Sequence, residues 1–188
     1  EILKDTVSSG SGNGEAIACD VSNPDDVDKL FEQIETTHGR LDVLFNNAGI
    51  AVPAKPIDEL SIEEWTGAVN VNLNGSFLCA RKAFGLMRKQ SPMGGRIINN
   101  GSISAYAPRP GSTPYTTTKH AISGLTKCLS LDGRPYDIAC SQIDIGNAAS
   151  EMAIPLSQGT MQANGTMLNE PLMDLKHVAD AVLYIAEL

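Results

Sequence analysis

Basic charge, paired cysteines and long apolar runs are what this 188-residue chain is short of. Its 14 Lys and Arg stand against 22 Asp and Glu, a formal net charge of −8. That balance excludes a phosphate-backbone binder, which needs a basic face, so no nucleic-acid partner is expected. Cys19, Cys79, Cys128 and Cys140 sit singly, with no CxxC and no cysteine–histidine spacing of metal type. Reduced thiols in an intracellular protein are the simplest account, with no metal centre. No apolar stretch approaches about 18 residues, and "EILKDTVSSG" carries no signal-peptide pattern. No membrane partner is expected, and the cytoplasm is the expected location. There is no internal repeat and no linker-like composition, so residues 1–188 read as a single domain.

What is there is alternation. After a short helical remnant and the polar loop "SSGSGNGE", the run "AIACDV" (16–21) predicts a buried strand ending at Asp20. "SNPDDVDKLFEQIETTHG" predicts a helix capped by Ser22 or Asn23, with Val27, Leu30, Phe31 and Ile34 as its apolar stripe and Gly39 as its stop. "LDVLFNNAG" is the next strand. A longer helix starts at a Ser61–Glu64 capping box and carries Trp65, Ala68, Val69, Leu73 and Phe77 inward. "GGRIINNGS" and "IACSQIDIG" read as two further strands, separated by a helix with Thr118, Ile122, Leu125 and Leu129 at helical spacing. Residues 147–172 lack periodicity and read as an irregular loop or lid. "DLKHVADAVLYIAEL" closes as a helix with Leu175, Val178 and Val182 facing in. Such alternation predicts a parallel sheet covered on both faces, with ligands beyond the carboxyl ends of its strands.

Those strand ends carry the informative residues. "NNAG" (46–49) follows a strand, and its small residues let a flat ligand approach the backbone. Asn46 itself reads better as a brace between strands. "NVNLNG" (70–75) places Asn72 on an apolar helical face, where a buried amide is a hydrogen-bonding hub or part of a site. "NNGS" puts Ser102 at a strand end, 13 residues before Tyr115. "PYTTTKHA" (114–121) sets Tyr115 and Lys119 one helical turn apart on one face.

In this order and at these separations, NNAG, NVNLNG, Ser102 and YTTTK resemble the short-chain dehydrogenase/reductase family, over most of the chain from about Ala16 onward. The resemblance implies a Rossmann-like, doubly wound α/β/α fold and hydride transfer between NAD or NADP and a small carbonyl or secondary alcohol. Tyr115 would be the general acid/base. Its unperturbed pKa of about 10 needs a neighbouring cation, which Lys119 would supply. Lys119 would also bond the cofactor's ribose, Ser102 would orient the substrate oxygen, and Asn72 would hold a relay water. The resemblance further places Asp20 and Val21 at the adenine and Asn47, Ala48 and Gly49 beside its ribose. Gly146 passes the nicotinamide, and Ser150 stands where the family has a carboxamide-binding Thr. It also implies a homodimer or homotetramer built on helices 61–89 and 112–131, where Ala121, Gly124 and Cys128 form a small-residue stripe.

Two departures qualify this. Ile145-Gly146 stands where the family reads Pro-Gly. The glycine-rich TGxxxGxG unit, the strand after it and a final strand are also missing, so the sheet is expected to be incomplete at both ends. "SGSGNG" (9–14) precedes a strand instead of opening a helix and is no substitute. The expectation is a piece of a longer, functional enzyme. The alternatives are a non-catalytic binding or regulatory protein on the same scaffold and, more remotely, a sugar-nucleotide epimerase or dehydratase relative, which also uses YxxxK.

Overall fold

The computed structural model describes residues 13–188; the predicted helical remnant and Gly10 and Gly12 of the polar loop lie outside them. Local signals set the first helix, α1 (Pro24–His38). The Asn23 side chain accepts from Asp25 N–H, Pro24 fills the first turn, and Gly39 closes the end at φ 69°. Val27 and Phe31, one turn apart, are buried against Cys79, Ala80, Ala83, Met87, Ile97 and Ile138. Burial of each large apolar side chain is worth about 1.5–3 kcal/mol.

Three strands form the sheet: β1 (Val43–Asn46), β2 (Gly95–Asn100) and β3 (Ile138–Ile143). All pairs are parallel in the order β1-β2-β3, with Asn46 beside Asn99 and Asn99 beside Gln142. Ile97 and Ile98 are neighbours on β2 and so point to opposite faces, yet both are 0% exposed. Both faces are therefore covered, as a parallel sheet requires. Helix α4 (Thr113–Gly133) packs on β3, and α6 (Leu175–Glu187) reaches β2.

The strand predicted at "AIACDV" does not form. Among the described residues it has no strand beside it, and a strand without a ladder partner leaves its amides unpaired. It runs instead as extended chain into a turn at Asp20.

The helix predicted from Ser61 is built in three parts: α2 (Ile62–Val69), a π turn (Asn70–Gly75) and α3 (Ser76–Met87). The capping box is present, with Glu64 N–H donating to Ser61 Oγ and Ser61 N–H to the Glu64 carboxylate. The predicted inward face needs one correction, because Phe77 is 49% exposed. The buried face steps instead through Ala68, Asn72, Ser76, Ala80, Ala83 and Met87, mostly small residues that bring the helix close to its neighbours. At Gly75 a Cβ would stand 2.8 Å from Val21 Cγ2, so no larger residue fits there without displacing the chain before α1.

Residues 147–172 are not wholly irregular. They contain a short helix, α5 (Ile154–Gln158), and a two-stranded hairpin of β4 (Thr160–Met161) and β5 (Met167–Leu168). In α6, Val178 and Val182 are half-buried as predicted, but Leu175 is 49% exposed, sitting at the first turn beyond the sheet edge contact.

Candidate functional site

Ser102, Tyr115 and Lys119 are all buried where β2 ends and α4 begins, with Ser102 4% and Lys119 5% exposed. Ser102 is held by two neighbours. Its N–H donates to Asp144 Oδ1 (3.1 Å), and its Oγ accepts from Ser104 N–H (3.1 Å), which leaves its own proton free to donate. The close approach of Asp144 requires Gly101, where a Cβ would stand 2.1 Å from Asp144 Oδ1. The Lys119 amine donates to the Asn100 carbonyl (2.7 Å) and lies 5.6 Å from the centre of the Tyr115 ring.

The electrostatics differ from the sequence expectation. Burial pushes the Tyr115 phenol above its ordinary 10, and what pulls it back is the hydrogen-bonded Ser102 side chain and then the Arg109 guanidinium. Lys119 is not the cation that acidifies it. Burial depresses Lys119 itself from 10.5 to about 8, opposed by the Asp144 carboxylate. An amine that is half neutral near pH 8 and tethered to Asn100 has little charge to lend the phenol.

Asn72 is 2% exposed in the π turn, and its amide is occupied by protein. Its Oδ1 accepts from Ile50 N–H (2.8 Å), while its Nδ2 donates to the Ile50 carbonyl (3.0 Å) and to Thr118 Oγ1 (3.2 Å). This side chain ties the loop after β1 to α4, one residue from Lys119. The hub reading of Asn72 is the one its contacts match. Asn46 braces strands, donating to Asn99 Oδ1 (2.9 Å) and the Ser76 carbonyl (3.1 Å).

The other predicted residues line the same crevice more loosely. Asp20 is an exposed turn aspartate, accepting from Ser22 N–H (2.9 Å) and Ser22 Oγ (2.7 Å), which lower its pKa. Val21 packs against the core margin. Asn47 and Ala48 are exposed after β1, Asn47 accepting from Asn100 Nδ2 (2.8 Å), and Gly49 faces Asn72 Oδ1. Gly146 and Ser150 are half-buried beyond β3, with room for a Cβ at Gly146, whose nearest neighbour would be Ile103 Cδ1 at 3.6 Å. Ser104 is buried beside Ser102, whereas Tyr106 and Met152 are 68% and 45% exposed.

Sequence reasoning passed over Asp144 and Arg109. Arg109 stands in the loop between Ser102 and Tyr115 and pairs with Glu170. A signal was present: residues 145–173 hold only two charged side chains, Glu151 and Glu170.

A covered parallel sheet whose strands end at a buried serine, tyrosine and lysine is a Rossmann-like α/β protein. The chain belongs to the short-chain dehydrogenase family, whose model matches residues 1–160. It is 41% identical over 132 residues to a 3beta-hydroxysteroid dehydrogenase of Mediterraneibacter gnavus, covering 70% of this chain and 47% of that protein. The chain thus spans about half the length of the curated relatives it matches. Its fold matches a 3-ketoacyl-(acyl-carrier-protein) reductase from Brucella melitensis complexed with NADH, with a TM-score of 0.85 at 24% identity, covering 98% of this chain and 75% of that one. The structure of ElxO with NADP bound is also similar, with a TM-score of 0.82 at 26% identity and the same coverage.

Proposed function

We propose that the chain is part of a nicotinamide-dependent oxidoreductase that interconverts a small carbonyl compound and its secondary alcohol. The observation that carries this reading is the burial of Ser102 and Lys119 on either side of Tyr115 where β2 meets α4. Residues 1–188 are read as one domain.

The residues present fit the nicotinamide-and-ribose end of NAD or NADP. Buried Lys119 has one acceptor, the Asn100 carbonyl, and an ammonium has three donors, so two remain for ribose hydroxyls. Asn47, Ala48 and Gly49 would flank the adenine ribose, Asp20 and Val21 the adenine, and Gly146 and Ser150 the nicotinamide. When bound, the reduced cofactor supplies the hydride that the carbonyl carbon accepts. Ser102 donates to the carbonyl oxygen and fixes its direction. Tyr115 then gives its phenolic proton to that oxygen, completing the alcohol, and takes one back in the reverse reaction. Lys119 restores the phenol's proton from the solvent side, and Asn72 keeps the loop after β1 in register with Lys119.

The similarity to a 3beta-hydroxysteroid dehydrogenase supports a cyclic or otherwise bulky secondary alcohol as substrate. A homodimer or homotetramer is supported by exposed Phe77, Gly124 and Cys128 on the helices the family pairs. A cytoplasmic location is supported by the single cysteines; no described helix is long and apolar enough to cross a membrane.

The test is to titrate the chain with NADH and NADPH while following cofactor fluorescence, and then to assay ketone reduction in the tighter-binding cofactor. Binding with turnover is expected. Binding without turnover on any ketone would instead favour a regulatory protein on this scaffold.

A further inference from the structure

The segment after β3 leaves the sheet at Asn147 and returns at Met173. Its base is a bridge between Ala148 and Met173, with Ala149 N–H donating to the Met173 carbonyl (2.9 Å) and Met173 N–H to the Asn147 carbonyl (2.7 Å). Apolar burial does little to hold what lies between. Met152, Ile154, Met161, Met167 and Leu168 are between 42% and 61% exposed, so the methionines do not pack a lid.

Polar contacts hold it instead, and they converge on one carboxylate. Glu170, with a side chain 15% exposed, accepts from Arg109 Nε (3.0 Å) and Gln162 Nε2 (2.8 Å) on Oε1, and from Arg109 Nη2 and Asn147 Nδ2 on Oε2. Arg109 Nη2 also donates to Asn147 Oδ1 (3.0 Å). Of these groups only Arg109 belongs to the body of the protein. It sits on the loop from Ser102 into α4, six residues before Tyr115. An exposed ion pair is worth little, because water competes for both partners. This one is two-pronged, largely screened from water, and seconded by two amides, which is the geometry in which a guanidinium fixes position as well as charge.

We propose that Arg109 is a positioning residue: through its fork on Glu170 and its bond to Asn147, it fixes the 147–173 segment against the loop that carries Ser102 to Tyr115. The crevice then has one wall, from Gly146 to Ser150, whose place depends on a pair of residues 61 positions apart. The pull of Arg109 on the phenol agrees with this placement close to the reacting group. The structural half of the inference stands without any reaction; only its kinetic half rests on the oxidoreductase reading.

Amide hydrogen exchange on the full chain tests it, comparing wild type with R109Q, E170Q and the charge-swapped R109E/E170R. In each single variant the amides of Ala149, Gln162, Gly165 and Met173 are expected to exchange about 10-fold faster or more, with β2 and β3 unchanged. The swap recovers most of that protection, because the Asn147 amide can turn over to serve the exchanged charges. Wild-type protection in both single variants, or a swap no better than the singles, would overturn the proposal. In parallel, ketone reduction by E170Q is expected to show a KM about 10-fold higher with a smaller change in kcat, since a displaced wall weakens substrate binding more than proton transfer. An unchanged KM in a protein with loosened amides would overturn the kinetic half. If wild type turns over no ketone, the oxidoreductase reading fails while the exchange data still decide the grip of Arg109.

Discussion

The Lys119 amine is tethered to the Asn100 carbonyl at 2.7 Å, so the cation beside Tyr115 is anchored to the end of β2. Asn100 in turn donates from its side chain to Asn47 at the end of β1. One amine thereby links the helix that carries the phenol to two strand ends, and its chemistry and its effect on stability are joined.

Replacing Tyr115 by Phe removes the proton donor and keeps the ring in its buried position. Ketone reduction is expected to fall by about 100- to 10,000-fold with little change in cofactor affinity. Initial rates and fluorescence titration on the same preparation check both halves, and retained turnover would refute the role of Tyr115.

Burial holds Tyr115 above its ordinary 10, so the phenol is protonated at neutral pH. Ketone reduction needs that proton and is expected to be pH-independent through neutrality. Alcohol oxidation needs the phenolate and is expected to climb steadily into the alkaline range. Profiles of kcat/KM in both directions decide it; an oxidation profile already flat at neutral pH would show that burial does not govern the phenol.

Lys119 affects stability with a definite sign. Its pKa is about 8 in the folded chain against 10.5 unfolded, so between these values the unfolded chain binds more protons and stability rises with pH. Below about 8 the folded protein bears the full penalty of a buried ammonium, at most about 3 kcal/mol. Lys119→Met is therefore expected to be relatively more stabilising at neutral pH than in the alkaline range, as followed by urea unfolding at several pH values. A pH-independent difference would sink the argument.

Glu170 has the opposite sign. Hydrogen bonds from Arg109 hold its carboxyl at about 2, well below its ordinary 4.5. Its contribution is present above 4.5 and is lost as pH falls from there toward about 2. Glu170→Gln is expected to destabilise the chain at neutral pH and to flatten its stability between those limits, which thermal unfolding across acid pH would reveal.

A row of amides crosses the sheet under the site: Asn46 donates to Asn99 Oδ1, and Asn99 donates to Thr126 Oγ1 (2.9 Å). Asn99 is 0% exposed. Asn99→Leu strands both neighbours without partners and is expected to cost about 1–3 kcal/mol for each buried group left unpaired. Denaturant unfolding would measure it, and a change within experimental error would mean that the row contributes nothing.

Features with nearby causes were legible in the sequence. The Asn23 cap, the Ser61–Glu64 box and the Tyr115–Lys119 spacing each depend on residues within one turn. The run 16–21 misled because its composition suits a strand, while strand formation depends on a neighbour that composition does not supply. Phe77 misled because an apolar stripe was traced by hydrophobicity, where the helix buries Ser76 and Ala80 for their smallness. The Arg109–Glu170 pair joins residues 61 positions apart, and its two halves sit in stretches with no periodicity to read. The candidate site was therefore visible as a set of residues, but not the charge that faces its phenol.

The π turn at Asn70–Gly75 makes that stretch intolerant of a change in length. It places one more residue in its turn than a regular helix does, so deleting any one residue would restore ordinary pitch and rotate everything downstream by about 100°. Cys79, Ala80, Ala83 and Met87 would then swing off the sheet together. Point substitutions there fail or succeed one contact at a time, whereas a single-codon deletion would dismantle one whole side of the core.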